Sequence, residues 1–157
     1  MGKLQFLETL ELHDAYSVKK VGVEFLGIEE ANGKNGSTSP VVLFPNLKSL
    51  QFWRMKEWEE WDGMGERREE EGESGDSVSI SIMPRLQSLT IWECPKLKSL
   101  PDFLPTTPLK KLRIYWSPIL GECCKTEIGD QWPKISHIPN IEIDLKYVRR
   151  DGRLVQT

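Results

Sequence analysis

Two histidines and three cysteines are the side chains best suited to ligate a metal or attack a substrate, and their spacing serves neither task. Cys123 and Cys124 are neighbours rather than a C-x-x-C pair, Cys94 has no second thiol or imidazole at ligand spacing, and His137 is isolated. Neighbouring cysteines bridge each other poorly and three cannot all pair, so the thiols point to a reducing, cytoplasmic setting. Cys94 reads as a small buried thiol, and Cys123 and Cys124 as ordinary thiols near the surface. Gly27 to Lys34 superficially matches a phosphate-binding loop but fails it twice. Five residues separate Gly27 from Gly33 where four are needed, and Asn35 stands where magnesium wants Ser or Thr. No nucleophile-elbow, zinc-protease or kinase signature occurs, and His13 and His137 lie near opposite ends of the chain. The expectation is that catalytic, metal and cofactor-binding residues are absent and that the chain is not an enzyme.

What remains is surface chemistry. His13, Trp53, Trp92 and Tyr115 recur at one sequence position, followed by Asp144. Two residues earlier stand Glu11, Gln51, Thr90, Arg113 and Glu142, and two earlier again Thr9, Ser49, Ser88, Lys111 and Asn140. Rings beside hydrogen-bonding groups are the usual makings of a protein-binding hot spot. The candidate binding residues are Trp53, Trp92, Tyr115, His13, Gln51, Thr90, Arg113 and Lys111. The alternative is that the rings only cover sheet surface and one another.

Such columns exist only if a repeating element aligns them. Leu7-x-x-Leu10-x-Leu12 recurs as Leu47-x-x-Leu50-x-Phe52, Leu86-x-x-Leu89-x-Ile91 and Leu109-x-x-Leu112-x-Ile114, with a looser copy at Ile138-x-x-Ile141-x-Ile143. After two further residues comes a slot holding Ala15, Met55, Cys94 and Ser117, and then an apolar Val18, Trp58, Leu97 and Leu120. The last copy breaks step, with Lys146 in the slot. This is the leucine-rich-repeat pattern. In each copy a short strand turns its leucines inward and the alternate residues outward. One turn cannot bury its leucines alone, but stacked turns share a core. The predicted fold is an α/β repeat: a short solenoid of about five turns, with a parallel concave sheet and mostly irregular or short 3-10 convex connections. Pro95, Pro101, Pro105 and Pro108 disfavour a long helix between the third and fourth strands. Trp58 and Trp61 read as structural, with one side buried and the other solvated.

The central leucines are 40, 39, 23 and 29 residues apart, so two turns carry insertions, placed by composition at residues 27–39 and 62–77. The chain has 157 residues and a net charge of −3. Residues 62–77 alone carry seven acids and two arginines, a net −5, so the rest is faintly basic at +2. That run is read as a solvated loop, the alternative being a dock for a basic surface. No global basic field favours nucleic acid, and no apolar run is long enough to cross a membrane. Residues 1–145 are read as the repeat domain and 146–157 as a polar, basic, fraying tail.

Several phrases are more specific than the repeat itself. They include Phe44-Pro-Asn-Leu-Lys-Ser-Leu50, Met55-Lys-Glu-Trp-Glu-Glu-Trp61 and Met83-Pro-Arg-Leu-Gln-Ser-Leu-Thr-Ile-Trp-Glu-Cys-Pro-Lys-Leu97, with Leu100-Pro-Asp-Phe-Leu-Pro105 and Trp132-Pro-Lys-Ile-Ser-His-Ile-Pro-Asn-Ile-Glu-Ile143. Over residues 7 to 145 the chain resembles the C-terminal repeat region of plant coiled-coil-type nucleotide-binding, leucine-rich-repeat disease-resistance proteins. The resemblance implies a protein-binding part of an intracellular immune receptor. Its partners would be a pathogen effector or a guarded host protein, and the receptor's own nucleotide-binding domain, which it helps restrain. ADP or ATP would belong to that domain, for which this chain has no residues. The alternatives are a free-standing adaptor that reads substrates for a ubiquitin ligase, and a receptor fragment without function of its own.

Overall fold

The computed structural model describes residues 6–21, 41–61, 80–101, 103–125 and 129–155. The inserted loops expected at 27–39 and 62–77 lie outside these residues. Each hexad forms a short strand: β1 (Thr9–His13), β4 (Ser49–Trp53), β7 (Ser88–Trp92), β8 (Lys111–Tyr115) and β9 (Asn140–Ile143). They lie side by side, parallel and in one register. Leu10 pairs with Leu50, Leu50 with Leu89, Leu89 with Leu112 and Leu112 with Ile141. A one-residue slip would turn every leucine to water, so the burial pattern fixes this register. Leu50, Leu89, Leu112 and Ile141 are fully buried, whereas Leu10 on the edge strand is only partly so.

Every one of these strands ends on a left-handed residue. Asp14, Arg54, Glu93, Trp116 and Asp144 have φ between 49° and 59°. At Asp14, Arg54 and Glu93 the kink sends the chain away from the sheet while the N–H continues the ladder: Asp14 donates to the Trp53 carbonyl, Arg54 to Trp92 and Glu93 to Tyr115. The slot residue comes next. Ser117 is buried, donates its hydroxyl to the Tyr115 carbonyl at 3.1 Å and accepts the Cys94 N–H at 3.0 Å. A small polar side chain here thus satisfies backbone groups that the bend would otherwise strand.

Behind the sheet the chain is less irregular than its prolines suggest. β2 (Lys20–Val21) pairs parallel with β5 (Glu60–Trp61), and β3 (Val41–Leu43) with β6 (Ile80–Ile82). A 3-10 turn at Leu104–Thr106 and helices α1 (Pro118–Cys124) and α2 (Trp132–Ile135) complete the later turns. Trp58 and Trp61 both sit wholly in the core, at 0% and 4% exposure, packed on Phe52. The expected solvated side is absent because the Trp58 indole finds its acceptor inside, the Glu60 carbonyl at 2.8 Å.

Residues expected to fray extend the sheet instead. β10 (Lys146–Arg150) returns antiparallel on β9, and β11 (Arg153–Leu154) on β10. Asp144 and Leu145 are both left-handed, at φ 49° and 69°, the two-residue turn that suits a hairpin. Asp151-Gly152 makes the second such turn, at φ 51° and 81°. Among the described residues the result is mostly strand: an open, mixed seven-stranded sheet ordered β1-β4-β7-β8-β9-β10-β11, with few helices and no barrel closure.

Candidate protein-binding face

The alternate residues of the parallel strands face away from the leucine core, and the register brings the aromatic column together. His13 stacks on Trp53 with centroids 5.6 Å apart and planes 8° from parallel. Trp53 stacks on Trp92 at 4.9 Å, and Trp92 meets Tyr115 edge-on at 4.8 Å. Four rings from four strands therefore form one continuous ladder. The polar column runs beside it. Gln51 accepts the Trp53 indole N–H at 3.0 Å, Glu11 lies 3.2 Å from the His13 ring, and Arg113 stands 3.9 Å from Glu142. Lys111 is half-buried one column further and has no ion pair among the described residues.

Two of the expected residues are less available than their positions suggest. Tyr115 is 6% exposed and Thr90 7%. Tyr115 is enclosed by Trp92 and Trp116, and burial, followed by the nearby Glu142, pushes its phenol above the ordinary range. The exposed ring at this end is Trp116, at 52%, 4.8 Å from Trp92. The sequence columns stop one residue short of it. The signal was present all the same, since Asp14, Arg54 and Glu93 hold charged groups at the position where Trp116 places an indole. Trp92, Trp116 and Pro95, with Lys56 and Glu93, line an open groove of about 450 Å³. Asp144, expected in the outward column, instead begins the hairpin, and its carboxylate accepts the Trp116 N–H at 2.7 Å.

Along the neighbouring flank the turns are linked by charge. Asp14 pairs with Arg54 at 2.9 Å, Lys56 with Glu93 at 3.2 Å and Glu57 with Lys96 at 2.7 Å. The hydrogen bond from Lys96 holds the Glu57 carboxyl below its ordinary value. The Tyr16 hydroxyl does the same for Asp14, helped against partial desolvation by Arg54. The thiols differ in setting. Burial raises Cys94 to about 11 and Cys124 to about 12. Cys124, expected near the surface, faces the core from α1, while Cys123 is half-buried.

Over 102 residues the chain is 38% identical to the probable disease resistance proteins RF45 and RDL5 of Arabidopsis thaliana, a stretch that is 63% of this chain and 8% of each of them. It is 32% identical to disease resistance protein RPP8 of the same plant over 127 residues, 80% of this chain and 12% of that protein. The chain's homologues are plant disease-resistance proteins. It spans 8% to 12% of the length of these three relatives. No protein-family model matches it, and no solved structure does. Among the described residues, no helix is long and apolar enough to cross a membrane.

Proposed function

We propose that the chain is a run of leucine-rich-repeat turns from a plant intracellular immune receptor of the nucleotide-binding type, and that it binds protein through the solvent face of its parallel sheet. The face would be concave, as stacked turns of unequal inner and outer width require. The observation that carries this reading is the unbroken ring ladder from His13 to Trp116, flanked by Gln51, Arg113 and Lys111. Interface energy concentrates on aromatic and arginine anchors of this kind. The partner is a pathogen effector or a guarded host protein, and the same face would contribute to restraint of the nucleotide-binding domain. No reaction is assigned to the chain. Supporting that, Cys94 and Cys124 are held as neutral thiols by burial, and a buried thiol is a poor nucleophile.

The test is Trp92→Ala in the receptor that contains this chain, expressed in leaf tissue and challenged with the pathogen it answers to. Gln87→Ala, exposed and outside the columns, is the control. Trp92→Ala is expected to abolish the defence response while circular dichroism shows a folded sheet, and Gln87→Ala to respond normally. A folded Trp92→Ala protein that still responds contradicts the reading.

A further inference from the structure

The far edge of the sheet carries a second surface, distinct from the ring ladder. Residues 146–154 hold Lys146, Arg149, Arg150 and Arg153 against a single acid, Asp151. Arg149 is committed to the fold, donating to the Ser136 and Gly152 carbonyls. The other three cations have no ion pair with any described residue. That is unlike Arg54, Lys56 and Lys96, each matched to an acid of the neighbouring turn.

Their placement is costly to the hairpin itself. Arg150 and Arg153 are direct partners across β10 and β11, and like charges facing each other weaken a strand pair. One cation on an edge strand is enough to discourage stray pairing. Two facing each other exceed that need. The Arg150 guanidinium lies 5.0 Å over the Tyr147 ring, which steadies it. Beside the cations, Leu145, Leu154 and Val155 are 66%, 45% and 40% exposed. β11 closes the strand order of the sheet, so one side of its backbone is without a sheet partner among the described residues.

We propose that the β10–β11 hairpin is a docking site for an acidic protein segment, an extended Glu- or Asp-rich stretch with interleaved apolar residues that lies along β11. Charge complementarity selects the acids, and Leu154 and Val155 select the apolar positions. Unpaired strand edges take up extended segments through backbone hydrogen bonds. A nucleic acid fits less well. Three cations neutralise few phosphates, the chain as a whole carries −3, and a phosphate backbone offers nothing to the exposed leucine and valine.

The full chain is titrated into a fluorescein-labelled peptide, Glu-Leu-Glu-Leu-Glu-Leu-Glu-Leu, whose alternation suits an extended strand, with anisotropy as the readout. Binding is expected, and it should weaken as salt rises from about 50 to about 200 mM. Arg153→Gln should weaken it several-fold and melt no lower than the parent, because the facing charge is relieved. Arg150→Gln with Arg153→Gln should weaken it at least about tenfold. Trp92→Ala should bind the peptide as the parent does. The proposal is overturned if the parent does not bind, if the double variant binds equally, or if Trp92→Ala loses the peptide. It is also overturned if Arg153→Gln melts lower, which would assign that arginine to the fold. Tighter binding to a 20-base-pair duplex or to phosphatidylserine vesicles than to the peptide would overturn it too.

Discussion

Leu145 shows how a single residue can be both exposed and strained. It sits at φ 69° in the turn between β9 and β10 with its side chain 66% exposed, so it carries a left-handed backbone and returns little burial. Glycine removes the clash of Cβ with the following carbonyl, at some entropic cost in the unfolded chain. Leu145→Gly is therefore expected to stabilise the protein by up to about 1 kcal/mol, seen as a rise of a few degrees in melting temperature. A fall would mean that Leu145 makes contacts the turn depends on. Thiol chemistry gives an independent check. At pH 8, iodoacetamide should label Cys123 in the native protein and reach Cys94 and Cys124 only on unfolding, because burial holds both as thiols. Native labelling of Cys94 by mass spectrometry would contradict the packed slot. Cys94 was legible in the sequence because the repeat assigns it a place. Cys124 was not, since it lies outside any hexad and only the close seating of α1, with Gly121 near Ile143, turns it inward.

The strands are the elements in which local pattern and tertiary need agree most closely. Each hexad alternates apolar and polar residues, and stacking makes every copy reinforce its neighbours. Position in the stack should then decide the cost of a deletion. Leu89→Ala, in the middle of the sheet and fully buried, is expected to cost about 2–5 kcal/mol in chemical denaturation. Leu10→Ala removes the same group from half-buried β1 and should cost clearly less. Equal losses would mean that the row is not a stack with an edge. The same alternation made β1, β4, β7, β8 and β9 readable from sequence. The hairpin at 144–154 was missed although Asp151-Gly152 is a strong turn signal, because the charged residues around it suggested fraying. Its apolar contribution is slight, with Val148 alone packing on the core. The paired β2–β5 and β3–β6 were hidden for another reason. They are two or three residues long, and their partners are separated by the insertions, so no local period announces them.

Across the described residues, the parallel strands share one core, and ion pairs link the segments that follow them. The pairs set a pH dependence whose sign follows from Glu57. Its carboxyl is held below the ordinary 4.5 chiefly by the Lys96 hydrogen bond, so the unfolded chain takes up a proton first as the pH falls. The contribution is complete above 4.5 and disappears as the pH drops through the lower folded value. Lys96→Gln should thus melt slightly below the parent at pH 7, with the gap closing under acid; a gap that persists in acid would mean Lys96 acts by packing. The ring ladder belongs to this scale as well, since no single turn makes it. The sequence columns align with the stacked rings of His13, Trp53 and Trp92, but Tyr115 is buried and Trp116 holds the exposed place beside it. The left-handed kink decides which of the two faces solvent, and a column count cannot see it. Everything here depends on successive hexads being neighbours in space, which methyl NOE spectroscopy on leucine- and isoleucine-labelled protein measures directly. An unbroken series of contacts from Leu50 to Leu89, Leu89 to Leu112 and Leu112 to Ile141 is expected, whereas contacts that skip Leu89, or a missing link in the series, would contradict the parallel register.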